Sequence, residues 1–312
     1  MGVLTGLRKA TVDSRYWTGF VLAVVGSVLF SAKAIVAKLT YRYGVDALTV
    51  MGFRMLFSLP FFAVVALLQA RRAKAGRIQR LDRRDAMHIL ALGFIGYYLS
   101  SYLDFIGLQY ITAGLERLIL FLSPTFVLLI SAFYLKRRIT VGQWCAMGLS
   151  YLGVLLAFIH DLSLEGSNVL LGAGFVLASA FTYALYLISS GEVLKRIGST
   201  RLVAYAMSAS ALYAIAHFLV EQGWQGLVQP VEVYQLSLVH AVLHTFLPTF
   251  MVMWAVARIG APMAAQLGMI GPISVLFLAW WLLGEPITLL QLAGTALVLA
   301  GMVVLSRVRP AK

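Results

Sequence analysis

The sequence predicts an all-α polytopic membrane protein: ten transmembrane helices in two inverted five-helix repeats, with both termini cytoplasmic. Three observations lead there: an apolar composition, a one-sided distribution of basic residues, and an internal repeat. Of 312 residues, 61% are hydrophobic and only 12% charged, and the mean hydropathy is +0.89. Soluble domains are about half apolar and about a quarter charged.

A spanning helix needs roughly 20 mostly apolar residues, and ten stretches meet that length: 17–40, 47–69, 86–107, 113–134, 141–159, 169–190, 201–221, 235–257, 261–283 and 287–306. Arg8, Lys9 and Arg15 precede the first, which is too long for the apolar part of a cleavable signal. The second ends in a basic run, Arg71 to Arg84, that leads into the third. Lys136, Arg137 and Arg138 separate the fourth from the fifth, Lys195 and Arg196 the sixth from the seventh, which opens with Arg201, and Arg258 ends the eighth. Arg307, Arg309 and Lys312 follow the tenth. All of these fall on one side if the N-terminus is inside, as the positive-inside rule requires. Only Lys33, Lys38, Arg42, Arg54 and Arg117 of the 25 lysines and arginines lie elsewhere. The other side carries Asp161, Glu165, Glu221 and Glu232. The net charge of +13 is therefore a matter of topology, and no nucleic-acid partner is expected. The single cysteine, Cys145, excludes an intramolecular disulfide framework.

The stretch "QYITAGLERLILFLSPTFVLLISAFYLKRRITVGQWCAMGLSYLGVLL" aligns without gaps, 148 residues on, with "ARIGAPMAAQLGMIGPISVLFLAWWLLGEPITLLQLAGTALVLAGMVV". Pro124 meets Pro272, Gln143 meets Gln291, and Gly153 meets Gly301. "GFVLA" at 19–23 returns at 174–178. Five helices per half is an odd number, so the second half must enter the membrane upside down. The expected organisation is a cytoplasmic segment 1–16, repeats at 17–160 and 161–306, and a cytoplasmic tail 307–312. Inverted repeats of this kind are typical of carriers that rock about a central site.

Each half ends in a helix with a central proline, a short turn, and a closing helix containing spaced glycines; the second copy reads "LLGEPITLLQLAGTALVLAGMVVL". The second helix carries Phe53-Arg54. Together these resemble the EamA-type transporters of the drug/metabolite transporter superfamily. The first-half turn departs from the pattern, with "YLKRRITVGQW" in place of Gly-Glu. The resemblance implies ten helices, a central cavity, and movement of small metabolites, often export of amino acids or related compounds. It also implies a multi-pass protein of a bacterial inner membrane.

Five charged residues from four of the predicted spans fall in one layer, the outer half of the first repeat: Lys33, Arg54, Asp104, Glu116 and Arg117. A charge at a helix centre costs about 2.5–3.5 kcal/mol on insertion scales, so this group needs a function or a set of partners. Adjacent residues point roughly 100° apart on a helix, and Glu116 and Arg117 must reach different neighbours. The expected pairs are Arg117 with Asp104, and Glu116 with Lys33 or Arg54. Three roles stay open for the layer: a structural network, an outer gate, or a functional site, either for direct solute recognition or for protonation of Glu116 or Asp104. Lys38 and Arg42 are expected to snorkel to the surface.

The third helix carries "GYYLSSYLDF", whose Tyr97, Ser101 and Asp104 form one stripe and Tyr98, Tyr102 and Phe105 the next. With Tyr183 and Tyr186 of the sixth helix they suggest a cavity with apolar walls and polar tips. Gln266 aligns with Leu118 and falls in the inner half. His217, His240 and His244 are expected to be neutral and hydrogen-bonded, with no metal. Pro124 and Pro272 each remove a backbone hydrogen bond and are expected to be flexing points.

The leading expectation is a secondary transporter for an amino acid or similar zwitterion, working outward by alternating access. No Walker A sequence occurs, no cofactor is expected, and proton coupling is open. An integral membrane enzyme lacks its motifs here: there is no H-E-x-x-H and no G-x-S-x-G. A scaffold would have little loop surface to offer. Organic cations, sugar derivatives, and the choice between monomer and homodimer also stay open.

Overall fold

The computed structural model describes residues 2–134, 136, 139–165 and 168–307. Ten helices are long and apolar enough to cross a membrane: α1 Tyr16–Tyr41, α2 Ala47–Lys74, α3 Arg83–Leu108, α4 Ala113–Phe133, α5 Val141–Leu162, α6 Val169–Ser189, α7 Ser199–Gln222, α8 Val231–Ile259, α9 Met263–Leu283 and α10 Leu289–Arg307. Among the described residues there is no strand. These are the ten spans that hydropathy predicts, with shifts only at their ends. The first helix continues back to Gly2, since Lys and Arg favour helix outside the membrane as well as Leu does. The eighth starts at Val231, earlier than predicted. Pro230 precedes it with φ −54°, and the Tyr234 hydroxyl donates to the Leu227 carbonyl while accepting from the Gln229 N–H at 3.1 Å.

The helices pack most extensively as α5 on α10, α2 on α7, α1 on α8, and α3 on α6. Exchanging the halves maps the first two pairs onto themselves and turns α1–α8 into α6–α3. The packing therefore follows the repeat. The α5–α10 seam shows it atom by atom. A Cβ at Gly153 would lie 2.8 Å from the backbone nitrogen of Val298 and would also strike the Gly294 carbonyl; a Cβ at Gly301 would lie 2.6 Å from the Ala146 carbonyl. The contacts 153–294 and 146–301 are the same contact seen from each half. Only glycine allows backbones this close, the usual device where helices meet in lipid.

Both halves interrupt their helices at matching places. The α4 span is helical over Ala113–Leu120 and Ser123–Tyr134, and the corresponding break before α9's proline falls at Met269. Pro124 cannot donate to the Leu120 carbonyl; the Ser123 hydroxyl takes that carbonyl instead, at 2.6 Å. The α3 and α8 spans carry π-turns at Gly93–Leu99 and Val242–Phe246, again about one repeat apart. A π-turn inserts one extra residue, which re-aims every side chain beyond it.

At the basic end, the short helix Gly191–Ile197 ties down the α2–α3 connection. Arg196 pairs with Asp85, and with Asp82 at 3.8 Å. Arg201 donates to the Gln79 carbonyl at 2.6 Å.

Candidate functional site

The charged layer lies towards the end that carries the α3–α4 turn. At about 1.5 Å per residue, Asp104 and Glu116 sit about one turn inside it, and Lys33, Arg54 and His240 about 10–14 Å inside. The helix of α1 is interrupted at Ala32, and Lys33 opens its second part. From there the Lys33 ammonium lies 2.5 Å from Asp104 and 3.5 Å from Glu116. Both carboxylates are almost wholly buried, at 1% and 0% exposure. The expected Glu116–Lys33 pair is therefore formed.

The expected Arg117–Asp104 pair is not. Arg117 is buried over the rings of Phe121 at 5.2 Å and Phe30 at 5.9 Å, and a Cβ at Gly271 would come within 2.9 Å of its guanidinium. The reason is rotational: with Glu116 facing Lys33 and α3, its neighbour in sequence turns about 100° away from α3, towards Phe30 of α1 and Gly271 of α9. Among the described residues Arg54 makes no ion pair either. It lies over Phe105, 5.0 Å from the ring centre, and its Nε and one terminal nitrogen are buried without a hydrogen-bond partner.

His240 completes the layer from α8. It is fully buried against Phe105, with ring centres 5.6 Å apart, and neither ring nitrogen has a hydrogen-bond partner. The prediction that the histidines are satisfied holds for the others: His244 Nδ1 donates to the Leu29 carbonyl at 2.7 Å and His217 Nδ1 meets the Tyr98 hydroxyl at 2.8 Å.

The tyrosines do not gather around one cavity. Tyr97 turns towards α6, its hydroxyl 3.0 Å from that of Tyr186, and Tyr183 stacks beyond it. Tyr98 and Tyr102 turn towards α7 and flank His217. Tyr98 and Tyr102 keep their common stripe, whereas Tyr97 faces α6 and Asp104, predicted on the same stripe, faces Lys33 of α1 beyond the π-turn. Ser100, rather than Ser101, reaches across to α6, with 3.1 Å between its hydroxyl and that of Ser179; Ser101 is partly buried. Gln266 is exposed and does not join the charged layer.

Above the layer, two carboxylates close the start of α4. Asp161 accepts from the Thr112 backbone N–H at 2.7 Å and from its hydroxyl at 2.8 Å. Glu285 accepts from the Ala113 N–H at 3.2 Å and pairs with Lys38 at 3.6 Å. A helix start favours negative charge, and this one receives two. Lys38 is thus an ion-pair partner rather than a snorkelling residue. Arg42, which is exposed, donates to the Leu283 carbonyl at 3.0 Å. The equivalents of Asp161 and Glu285 in the other half are Arg309 and Arg137, so the repeat supplies no carboxylate at those two positions in its other copy. The signal was in the sequence: Asp161 and the Gly-Glu of the second-half turn have basic counterparts in the repeat. Another missed signal was Thr140-x-x-Gln143, a reciprocal cap on α5. The Thr140 N–H donates to the Gln143 side chain at 2.9 Å, and the Gln143 N–H to the Thr140 hydroxyl at 3.3 Å.

Burial pushes the Glu285 carboxyl above its usual range, against the lowering pull of Lys38 and of the Ala113 N–H. A carboxyl with a raised pKa in the closed arrangement favours that arrangement at low pH, and the advantage is lost as pH rises through the raised value. Acid should therefore hold this end shut and alkali should loosen it. An Ala113→Cys probe in a Cys145→Ser background should be labelled by a maleimide faster at higher pH, relative to the same probe carrying Glu285→Gln. A ratio that does not change with pH would show that this carboxyl is not what holds the turn.

The model of the EamA-like transporter family matches residues 17–159 and again residues 170–307. The chain belongs to this family. It is a multi-pass membrane transporter built from two copies of one unit. It is 30% identical to the uncharacterized transporter YcbK of Bacillus subtilis, over 88% of each chain. It is 27% identical to the uncharacterized inner membrane transporter YicL of Salmonella typhimurium, over 72% of this chain and 74% of that one. A probable terminal-alkyne amino-acid exporter of Streptantibioticus cattleyicolor is 27% identical over 92% of this chain and 93% of its own. A solved crystal structure shares the fold with a TM-score of 0.61, covering 94% of the transporter and 96% of that chain at 16% identity.

Proposed function

We propose that this transporter exports an amino acid or a similar zwitterion across a bacterial inner membrane by alternating access. The observation that carries the reading is the division of charge in the buried layer. Asp104 and Glu116 stand together on one side, while Arg54 and His240 leave unused donor and acceptor positions around Phe105. A carboxylate suits a guanidinium, and a primary ammonium suits the two acids. The Phe105 ring, which Arg54 and His240 both touch, suits an apolar side chain. The exporter named among the relatives supports the same class of solute.

In this reading the basic end and both termini are cytoplasmic, and the halves divide near residue 160. The closure at the start of α4 is the outer gate, shut in the present conformation. The paired breaks beside Pro124 and Pro272 are where α4 and α9 bend when the gate opens. Lys33, Arg54, Asp104, Glu116 and His240 are the first residues to test for solute contact.

Counterflow in proteoliposomes tests the reading. Vesicles loaded with candidate solutes should take up labelled aromatic or aliphatic amino acid by saturable exchange. Exchange of organic cations or sugars, with none for any zwitterion, would overturn it.

A further inference from the structure

The buried layer holds two carboxylates and, between them, a single ammonium. Lys33 reaches Asp104 at 2.5 Å and Glu116 at 3.5 Å, and among the described residues neither acid has another ion-pair partner. Each acid keeps a buried oxygen without a hydrogen bond: Oδ1 of Asp104 and Oε2 of Glu116. The lysine side chain ends in a primary ammonium on a flexible four-carbon stem. The α-ammonium of an amino acid is the same chemical group. Against Phe105, among the described residues, Arg54 has no acid of its own and His240 no partner for either nitrogen. The donors for a solute carboxylate are thus free, whereas the acceptors for its ammonium are already filled by a group from the protein.

We propose that Lys33 is a tethered stand-in for the solute's ammonium. The inference rests on the zwitterion reading above. In the empty carrier Lys33 neutralises Asp104 and Glu116. When solute enters, its ammonium takes the two acids, and Lys33 swings to join Arg54 on the solute carboxylate. No proton is transferred and no bond is made. The layer carries the same net charge empty and loaded, because the solute brings one charge of each sign. An empty site with two unneutralised acids would be costly to carry through the closed conformation. With Lys33 in place, the empty carrier can return, and net export does not require a solute for the return trip.

The test compares two fluxes in proteoliposomes of the purified protein: exchange of labelled amino acid, and net efflux into solute-free buffer. Lys33→Ala should lower both, because the site is altered, but net efflux should fall about tenfold or more beyond exchange, since only the empty return crosses with bare acids. Methylammonium added on both sides should restore efflux in Lys33→Ala, while tetramethylammonium, too large and without N–H donors, should not. Equal losses in the two fluxes from a folded variant, equal retention of both, or the same effect from the two cations would overturn the proposal. If Lys33→Ala does not fold, the wild-type protein still decides: an α-keto acid that exchanges as well as its parent amino acid overturns it, and exclusion of the keto acid supports it. Failure of the wild type to exchange any amino acid would instead overturn the zwitterion reading itself.

Discussion

Asp104→Leu is expected to destabilise the protein by about 3–5 kcal/mol, the usual result of removing one partner from a buried ion pair. Asp104 is 1% exposed and its shortest contact is the Lys33 ammonium at 2.5 Å. Without it, Lys33 keeps only Glu116 at the longer distance of 3.5 Å. The buried layer then holds Lys33, Arg54 and Arg117 against one acid. The double variant Lys33→Met/Asp104→Leu should recover part of the loss, because a pair of apolar side chains replaces a pair of charges. Unfolding midpoints in detergent, followed by tryptophan fluorescence, measure the cycle. A double variant whose loss equals the two single losses added together would show that the two groups do not act as a pair.

Gly153→Ala and Gly294→Ala should each cost about 1–3 kcal/mol by overpacking. The obstacles at Gly153 include backbone: the nitrogen of Val298 would be 2.8 Å from the new Cβ. At Gly294 the Ala157 nitrogen would be 3.3 Å away, with the Gly153 carbonyl nearer still. Backbone cannot rotate aside as a side-chain tip can. Gly148 lies on the same α5 helix, yet a Cβ there would meet nothing within 4 Å. Gly148→Ala should therefore be neutral, or stabilising by up to about 1 kcal/mol from helix propensity alone. If all three substitutions behaved alike, the α5–α10 seam would not be the close contact described. A normal Gly148→Ala with two unstable partners would place the constraint in that seam.

Both expectations concern helix pairs, and it is there that reading residues in order stops being sufficient. The pair Glu116–Lys33 could be anticipated because only a few charges lie within the spans, so few partners are available. Arg117 could not be assigned the same way. Its direction depends on how α4 is rotated, and α4 is broken at Phe121–Leu122, just past the charged pair. The tyrosines of α3 illustrate the same limit. Stripes drawn at 3.6 residues per turn assume an unbroken α-helix, and the π-turn at Gly93–Leu99 shifts the phase. Tyr97 and Asp104, which unbroken spacing puts on one stripe, therefore serve different neighbours, α6 and α1.

The number of spans, their approximate limits, the repeat and the family could be read from the sequence alone. Apolar run length, local residue order and the 148-residue offset are properties of the chain in one dimension, and lipid penalises any span that breaks those rules. The tertiary structure alone decided which helices touch, that Lys33 rather than Arg117 holds Asp104, that Arg54 and His240 have unused hydrogen-bonding capacity, and that Asp161 and Glu285 close the start of α4. Those are matters of rotation about helix axes and of distances between segments far apart in the chain. Hydrophobicity is nearly indifferent to rotation when every face is apolar, so small glycine contacts, helix breaks and a few buried charges set it.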